Sequence, residues 1–250
     1  MLFSIIIPSY NQVDFIEITL QNIVALKKLC AEQKIELEVI LCDNQSNEKV
    51  QAIIQEYKSY INFLIVEPDK GQYDAINKGL AYVTGNYWTW LNTDDLIELD
   101  GFLEIVNYLI LYPVDYIYGD VNIINRDGSL IGKSSSGNIS IKTLTQKDAS
   151  ISQPGSFFNL EFTNKIGKLN AYKFAFDYEY ILRILKSNGK IAKINSVVAQ
   201  FRYYQESKSG SQNSQFLIEQ LQIAKLYGSK FFSKLSIILR LRILKRKLVN

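Results

Sequence analysis

Histidine is absent from this sequence of 250 residues, and cysteine occurs only twice, at Cys30 and Cys42. A chain without histidine can form neither a Cys/His zinc site nor a catalytic triad that uses imidazole as its base. Any proton transfer must therefore rely on a carboxylate, a lysine or a tyrosine. This limits the candidates for a catalytic base to three kinds of side chain.

The sequence also lacks a large excess of charge of either sign, since its net charge is only +3. Such a small value does not indicate a nucleic-acid partner, and we expect none. Hydrophobic residues make up 47% of the chain, which is enough for the core of one large α/β domain or of a domain with an appendage. The first eight residues (MLFSIIIP) have neither the basic start nor the cleavage site of a signal peptide, so we expect a cytoplasmic protein.

Neither of the two common glycine motifs for nucleotide phosphates is found. No Gly-x-Gly-x-x-Gly pattern follows the first predicted strand. Residues 128–134 (GSLIGKS) are one residue too short for a phosphate loop, and residues 125–128 (NRDG) are typical of a hairpin turn. A nucleotide bound to this chain would therefore need a metal ion or side chains to neutralise its phosphates.

Short apolar runs alternate with helical patterns through the first half of the chain. This alternation predicts an α/β fold with a mostly parallel, twisted sheet flanked by helices on both faces. In such sheets a ligand binds beyond the carboxyl ends of the strands. The predicted strands are residues 3–7, 37–41, 63–66 and 87–91, and the predicted helices are residues 13–28, 49–60, 74–83 and 100–111.

A cluster of polar residues follows each of these four strands. Ser, Asn and Asp are favoured in turns and helix caps, so a single cluster would be ordinary loop chemistry. Four clusters at one edge of a sheet predict a binding pocket. The clusters are residues 8–12, 43–46, 67–72 and 92–95.

The last cluster contains two adjacent carboxylates, Asp94 and Asp95. Neighbouring carboxylates repel each other unless a cation or a hydrogen-bond donor lies beside them. Carboxylate oxygens suit Mg²⁺ or Mn²⁺, which complete their coordination with phosphate oxygens and water. The doublet therefore predicts a divalent cation at the end of the fourth strand.

Four segments together resemble the successive signatures of family 2 glycosyltransferases with the GT-A fold. They are residues 4–11 (SIIIPSYN), 39–46 (VILCDNQS), 69–79 (DKGQYDAINKG) and 91–95 (LNTDD), in a match that is ordered over about residues 3 to 120. The resemblance implies a metal-dependent, inverting enzyme that passes a hexosyl or N-acetylhexosaminyl group from a nucleotide-diphosphate sugar to a hydroxyl. A UDP-sugar is the expected donor. The expected acceptor is a saccharide or a lipid-linked saccharide, in the synthesis of a cell-surface polysaccharide.

The resemblance also implies roles for individual residues. Ser9 and Asp43 would face the base and ribose, with Asp43 accepting a hydrogen bond from a base N–H. Asp94 would face the ribose or the sugar, and Asp95 would hold the Mn²⁺ or Mg²⁺ ion. The full set of implied donor-binding residues is Pro8, Ser9, Tyr10, Asn11, Asp43, Asp69, Lys70, Asn77, Asn92, Thr93 and Asp94.

Asp177 lies at the start of a predicted helix. By itself, an acid in this place is most simply explained as a helix cap or as a partner of the helix dipole. In the family that the sequence resembles, an equivalent acidic motif provides the catalytic base, which implies Asp177 here, with Glu179 as the alternative. Gln153 resembles a glutamine near the acceptor side, but Ser152 stands where a histidine is often found, which weakens any role for Gln153.

We divide the predicted GT-A domain into a nucleotide-sugar half, residues 1–120, and an acceptor half, residues 121–228. In the acceptor half, residues 116–120 predict a strand and turn, and residues 121–133 predict a hairpin. Residues 203–211 predict either a loop that orders over the donor or a plain surface loop.

The C-terminal segment, residues 229–250, is apolar and basic together. Residues 225–247 contain eight lysines and arginines and no acid. The segment is too charged to span a bilayer, which needs ~20 apolar residues. It predicts an amphipathic helix on the inner face of the cell membrane, or alternatively a helix that packs back on the domain.

Two other functions remain open from the sequence. A protein could keep the nucleotide-sugar pocket as a non-catalytic scaffold, although the presence of both a metal carboxylate and a base candidate favours an enzyme. A nucleotidyltransferase is favoured less, because residues 8–11 (PSYN) replace the glycine-rich, arginine-bearing loop that such enzymes have after their first strand.

Overall fold

A nine-stranded sheet flanked by helices organises the computed structural model, which describes residues 1–135, 137–151, 153–205 and 214–249. The strands are Leu2–Ser9 (β1), Glu36–Asp43 (β2), Phe63–Val66 (β3), Tyr87–Trp90 (β4), Leu96–Ile97 (β5), Tyr116–Ile124 (β6), Leu130–Ser134 (β7), Ser156–Asn159 (β8) and Ile191–Arg202 (β9). The helices are Ile16–Glu32 (α1), Glu48–Glu56 (α2), Gln72–Gly79 (α3), Leu99–Leu111 (α4), Ile141–Gln146 (α5), Leu160–Ile166 (α6), Phe176–Lys186 (α7), Ser214–Leu226 (α8) and Lys234–Val249 (α9).

The first four strands are parallel and stand in the order β3-β2-β1-β4. The first three are each followed by a helix, as the alternating sequence pattern predicts, and β4 is followed by the short strand β5 and then by α4. Their carboxyl ends consequently meet at one edge of the sheet, and the predicted fold class is confirmed. Buried β-branched and aliphatic residues explain the central strand, since Phe3, Ile5, Ile6 and Ile7 are completely inaccessible to solvent.

The second half of the sheet is mixed. Strand β8 pairs antiparallel with both β4 and β6, and β9 runs parallel to β6. The predicted hairpin is present as β6 and β7. The turn expected within residues 116–120 is absent, because β6 continues without interruption to Ile124. Glycine at position 119 allows β6 to lie against β9 without a clash. A Cβ atom there would lie only 2.7 Å from the carbonyl oxygen of Ser196 on β9. Because β6 crosses residue 120, both halves of the chain share one sheet.

Alternate residues of the strands supply two hydrophobic clusters. Ile5 and Ile7 pack in the cluster that also contains Phe102 of α4, whereas Ile6 packs in the other. The second cluster contains a group of aromatic rings, of which Trp90 and Phe158 stack with centroids 5.4 Å apart. The sheet is therefore covered on both faces, as the near-continuous apolar runs require.

Helix α9 packs back on the domain along one face only. Leu235, Ser236 and Leu239 are buried, and Leu235 and Leu239 belong to the same cluster as Trp90. The other face exposes apolar side chains: Ile237, Leu241, Leu244 and Leu248 are 42–79% accessible. Within the part of the chain that the structure describes, no helix is both long enough and apolar enough to cross a membrane.

Gly101 provides a test of how closely α4 lies against the sheet. A Cβ atom there would fall 1.9 Å from the carbonyl oxygen of Val197 on β9. Alanine is the better helix former by about 1 kcal/mol, yet we expect Gly101→Ala to lower the free energy of unfolding by about 2 kcal/mol, because the backbones must move apart. Urea unfolding measures this change. Gly132→Ala is the control, since its nearest heavy atom would be 3.9 Å away, and equal stabilities of the two variants would contradict the close contact.

Candidate functional site

Hydrogen bonds join the loops after β1 and β2. The backbone N–H of Asn11 donates to Oγ of Ser46 (2.9 Å), and that of Asn47 donates to Oδ1 of Asn11 (2.9 Å). The N–H of Asn44 donates to the carbonyl oxygen of Ser9 (2.9 Å). Asn11 adopts a left-handed backbone with φ of 54°, which asparagine tolerates better than most residues. These bonds hold the two loops side by side.

The loops after β3 and β4 are tied into the same network. The N–H of Asp69 donates to Oδ1 of Asn44 (3.0 Å), and the side-chain amide of Gln72 donates to Oδ1 of Asn92. Oδ1 of Asp69 accepts from the N–H of Gly71 (2.7 Å), just before α3 begins. The four polar clusters of the sequence thus form one continuous surface at the carboxyl edge of the sheet.

Ser9 and Asp43 lie side by side at the ends of β1 and β2. Ser9 is 3% exposed, and its Oγ has no hydrogen-bond partner among the described residues. A buried hydroxyl in this condition marks a place where a ligand or water completes the bonding. The carboxylate of Asp43 is buried and accepts from the N–H and Oγ of Ser46 and from the side-chain amide of Gln51. A carboxylate has about four acceptor positions, so one remains for a further donor.

The two adjacent carboxylates after β4 have different surroundings. Asp95 is completely inaccessible to solvent, and its oxygens accept from the N–H of Arg202 (3.0 Å) and the side-chain amide of Asn92 (2.9 Å). Burial and the neighbouring charge of Asp94 raise the pKa of Asp95 well above its usual value. The expectation that Asp95 holds a metal therefore does not fit this geometry, because its oxygens are turned into the protein interior.

Asp94 is the accessible member of the pair. It is only partly buried, and its Oδ2 accepts a hydrogen bond from the hydroxyl of Tyr204 (2.9 Å). Burial and the Asp94 carboxylate raise the pKa of Tyr204, so this hydroxyl stays protonated and remains a donor. The guanidinium of Arg202 donates to the carbonyl oxygen of Asp94 (3.1 Å). Arg202 was not a predicted site residue, and Tyr204 was named only within the loop at residues 203–211, because both lie more than a hundred residues from the doublet in sequence.

The remaining predicted donor residues differ in how far they can reach a ligand. Tyr10 is 60% exposed, Lys70 is exposed and Thr93 is buried. Pro8 is partly buried within β1. The side chain of Asn77 is hydrogen-bonded to the backbone of Leu169: it donates to the carbonyl oxygen (2.8 Å) and accepts from the N–H (2.9 Å). Asn77 thus holds the loop after α6 against α3.

A cavity of about 690 Å³ lies beside Asn92. Asp177, Gln72 and Gln153 also line it. The side-chain amide of Gln153 donates to the carbonyl oxygen of Trp90 (2.9 Å), which fixes it against the end of β4. Ser152 lies outside the described residues, as do residues 206–211 of the predicted loop. Asp177 therefore borders the same cavity as Asn92, which belongs to the loop that carries Asp94.

Of the two candidate bases, only Asp177 is accessible. It lies in the first turn of α7, is partly buried and lines the cavity. Glu179 is 1% exposed and is held by a two-pronged contact with the guanidinium of Arg183 (2.6 and 3.1 Å) and by the hydroxyl of Tyr227 (2.7 Å). An acid so fully bonded to its own protein cannot reach a substrate, so the structure leaves Asp177 as the candidate.

The start of α7 is held in place by a buried acid on α8. Glu219 is 5% exposed, and its carboxylate accepts the backbone N–H groups of Lys173, Phe174 and Ala175 at 2.8–3.2 Å. Three such bonds satisfy donors just before the helix and fix the direction in which it begins. The sequence gives no local sign of this contact, since Glu219 follows Phe174 by 45 residues.

A divalent cation fits the chemistry of this edge. Among the described residues, no three acidic or cysteine side chains lie together as a complete metal cage. Mg²⁺ and Mn²⁺ do not need one, since one or two carboxylates and the phosphate oxygens of a substrate suffice. Asp94 could provide that carboxylate, which makes the site suitable for a cation that arrives with a phosphorylated ligand.

Comparison with known proteins agrees with this geometry. The family model "Glycosyl transferase family 2" matches residues 4–180. The glucosyltransferase WfgD of Escherichia coli, described as acting between UDP-Glc and α-D-GlcNAc-diphosphoundecaprenol, is 29% identical over 133 residues, which are 53% of this chain and 50% of WfgD. TuaG of Bacillus subtilis, a putative teichuronic acid biosynthesis glycosyltransferase, is 25% identical over 53% of this chain and 51% of its own. This chain thus spans about half the length of the curated relatives it matches.

Solved structures share the architecture over nearly the whole chain. The S. aureus TarS fragment 1–349 in complex with UDP-GlcNAc superposes with a TM-score of 0.68 at 16% identity, covering 98% of this chain and 71% of that one. The mannosyltransferase PcManGT of Pyrobaculum calidifontis, in complex with GDP-Man and Mn²⁺, has the same TM-score and identity and covers 96% and 69%. At such identities the likeness establishes the fold, which is of the GT-A type. Because the family model matches well over half of its length, the chain belongs to glycosyl transferase family 2.

Proposed function

We propose that this protein is an inverting glycosyltransferase that moves a sugar from a nucleotide-diphosphate donor to a hydroxyl of a saccharide or lipid-linked acceptor. One observation carries the proposal: the loop that bears the accessible Asp94 and the helix start that bears Asp177 meet at one cavity, through Asn92. A single displacement needs a bound donor and an acidic side chain that face the same cavity, so that the acceptor can bind between them.

The donor would lie along the carboxyl edge of the sheet. Ser9 and Asp43 offer a buried hydroxyl and one remaining acceptor position to the nucleoside. Asp94, rather than Asp95, would hold the Mn²⁺ or Mg²⁺ ion. When bound, that cation would neutralise the negative charge of the departing diphosphate. UDP-GlcNAc in TarS and GDP-Man with Mn²⁺ in PcManGT support this class of donor.

Asp177 would act as the base. Its carboxylate would accept the proton of the acceptor hydroxyl as that oxygen attacks the anomeric carbon from the side opposite the diphosphate. One displacement of this kind inverts the configuration. Glu219 would keep the start of α7, and with it Asp177, at a constant distance from the donor edge.

Asparagine substitutions separate the two acids of the doublet. We expect Asp94→Asn to weaken Mn²⁺-dependent donor binding at least ~10-fold, because a neutral amide cannot replace a carboxylate ligand. Asp95→Asn should weaken donor binding less than Asp94→Asn, since the buried acid contacts protein groups and acts on the donor only through the loop that carries Asp94. Calorimetry with UDP-glucose, UDP-GlcNAc and GDP-mannose measures both affinities. A larger loss of donor affinity in Asp95→Asn than in Asp94→Asn would assign the metal to Asp95. If the parent protein binds no nucleotide sugar, the proposed function is contradicted.

Asp177→Asn should keep donor affinity and lose transfer by a factor of ~10² or more, as expected on removing a general base. The assay follows release of nucleoside diphosphate from the donor that binds. Asp100→Asn is a matched control, because Asp100 also lies in the first turn of a helix, α4, but does not line the cavity. If Asp177→Asn turns over at the parent rate, the base is a different residue.

We further propose that α9 rests on the inner face of the cell membrane, where a lipid-linked acceptor would be found. Successive residues of a helix are separated by about 100°, so Ile237, Leu241, Leu244 and Leu248 form one exposed stripe. Basic residues, among them Arg240 and Lys245, border it. An apolar stripe with basic flanks suits the surface of an anionic bilayer.

Point substitutions test the membrane contact better than truncation, because α9 also contributes Leu235 and Leu239 to the core. We expect the double variant Leu241→Glu, Leu248→Glu to lose most co-sedimentation with anionic vesicles and to keep its thermal stability. The control is Ile110→Glu, Leu111→Glu, whose apolar side chains on α4 are similarly exposed. Equal loss in both variants, or no binding by the parent protein, would overturn this proposal.

A further inference from the structure

The wall of the cavity opposite the donor edge is formed by α8 and α9. Phe216, Leu217 and Gln220 face it from α8. Five residues face it from α9, at a spacing that keeps them on one side of the helix: Lys234, Leu235, Ile238, Leu239 and Arg242. This side lies roughly 120° around the helix from the exposed apolar stripe. Helix α9 therefore presents one face to the cavity and a different one to the outside.

Three cations line this part of the cavity: Lys147, Lys234 and Arg242. Their side chains form no hydrogen bond or ion pair with any residue that the structure describes. The nearby acid Asp148 accepts instead from the N–H (3.0 Å) and hydroxyl (2.7 Å) of Ser150. The carboxylates of Asp148 and Asp177 also line the cavity, which leaves one net positive charge. The part of the lining that carries Lys234 and Arg242 would attract an anionic ligand.

The rest of the wall is apolar. Phe174, Phe201 and Phe216 line the cavity together with the aliphatic side chains of α9. Polar side chains that include Asp177, Gln72 and Asn92 line the same cavity. A ligand that matches the cavity would carry a hydroxylated part, an anionic part and an apolar part. A phosphate or diphosphate ester that joins a sugar to a long hydrocarbon has this arrangement.

We propose that the cavity face of α9 is the acceptor-phosphate site, in which Lys234 and Arg242 bind the phosphate groups of a lipid-linked sugar. This rests on the proposed function, because it assigns the acceptor to the space beside Asp177. The phosphates would lie on Lys234 and Arg242, with Lys147 beside them. The hydrocarbon would leave along the phenylalanine-lined wall toward the exposed stripe of α9. The acceptor and the membrane would then meet the same helix on two of its faces.

Farnesyl diphosphate is a water-soluble probe for this site. Binding to the full chain is measured by calorimetry and by the fluorescence of Trp90, which lines the cavity. EDTA is present, so that a diphosphate cannot bind through a metal at Asp94. We expect the double variant Lys234→Ala, Arg242→Ala to weaken binding at least ~10-fold, the size of effect expected on losing charge-assisted contacts to phosphate. Lys245→Ala is the matched control, since Lys245 is an exposed cation of the same helix that does not line the cavity.

Two further ligands separate the sources of affinity. Inorganic pyrophosphate should bind at least ~10-fold more weakly than farnesyl diphosphate, and farnesol should be insensitive to the double variant, if the apolar wall and the cations act together. If pyrophosphate binds as tightly as farnesyl diphosphate, the cations form a site for free phosphate, and the assignment to a lipid-linked sugar is wrong. Equal loss in the Lys245→Ala control, or no binding of farnesyl diphosphate by the parent protein, would overturn the assignment.

Donor binding in the presence of Mn²⁺ is measured on the same variants. Unchanged donor affinity shows that the double variant is folded. If farnesyl diphosphate binding fails while Asp94→Asn and Asp177→Asn behave as expected, the phosphate site is wrong and the proposed function stands. If the parent protein also binds no nucleotide sugar, the proposed function itself is wrong.

Discussion

The arrangement of the site depends on one buried contact, between the side chain of Asp95 and the backbone of Arg202. The carboxylate of Asp95 accepts the backbone N–H of Arg202, and the Arg202 guanidinium donates to the carbonyl oxygens of Asp94, Asn125 and Arg126. The same guanidinium lies 4.9 Å from the ring centre of Phe15, just before α1. Removal of the Asp95 carboxyl group would leave the buried N–H of Arg202 without this acceptor, which is costly. This contact therefore fixes the β4 loop, the end of β9 and the β6–β7 turn relative to one another.

The contact between Asp95 and Arg202 also explains why two adjacent aspartates have different properties. Burial raises the pKa of Asp95, whereas Asp94 stays at the surface of the loop. A cation and a diphosphate therefore have access to Asp94 and not to Asp95. Asp95 acts through the protein by holding the loop that carries Asp94. A doublet that looks like one metal-binding unit in sequence thus consists of a buried structural acid and a partly accessible one.

Helix α9 links the core to the two proposed binding surfaces. Leu235 and Leu239 anchor it in the cluster that contains Trp90, so its position relative to β4 is set by packing. Close packing leaves Lys234 and Arg242 along the cavity and Leu241 and Leu248 outside. A helix held in this way can present a phosphate-binding face and a membrane-binding face at a constant distance from Asp177. The two alternatives for the C-terminal segment, packing and membrane contact, are therefore compatible.

The alternation of apolar strands and helical patterns determined the fold class, because burial on both sides of a parallel sheet imposes continuous apolar runs that are visible locally. The same regularity located the four polar loops at one edge. The helix predicted to carry Asp177 near its first turn is α7. Tertiary structure alone decided that Asp95 is buried, that Tyr227 donates to Glu179, and that Arg202 and Tyr204 contact Asp94. Arg202 follows Asp95 by 107 residues, and no local spacing encodes a contact across that separation. Whether a polar side chain faces a ligand or the protein interior depends on which distant strand or helix packs against it, and that is settled only when the chain folds.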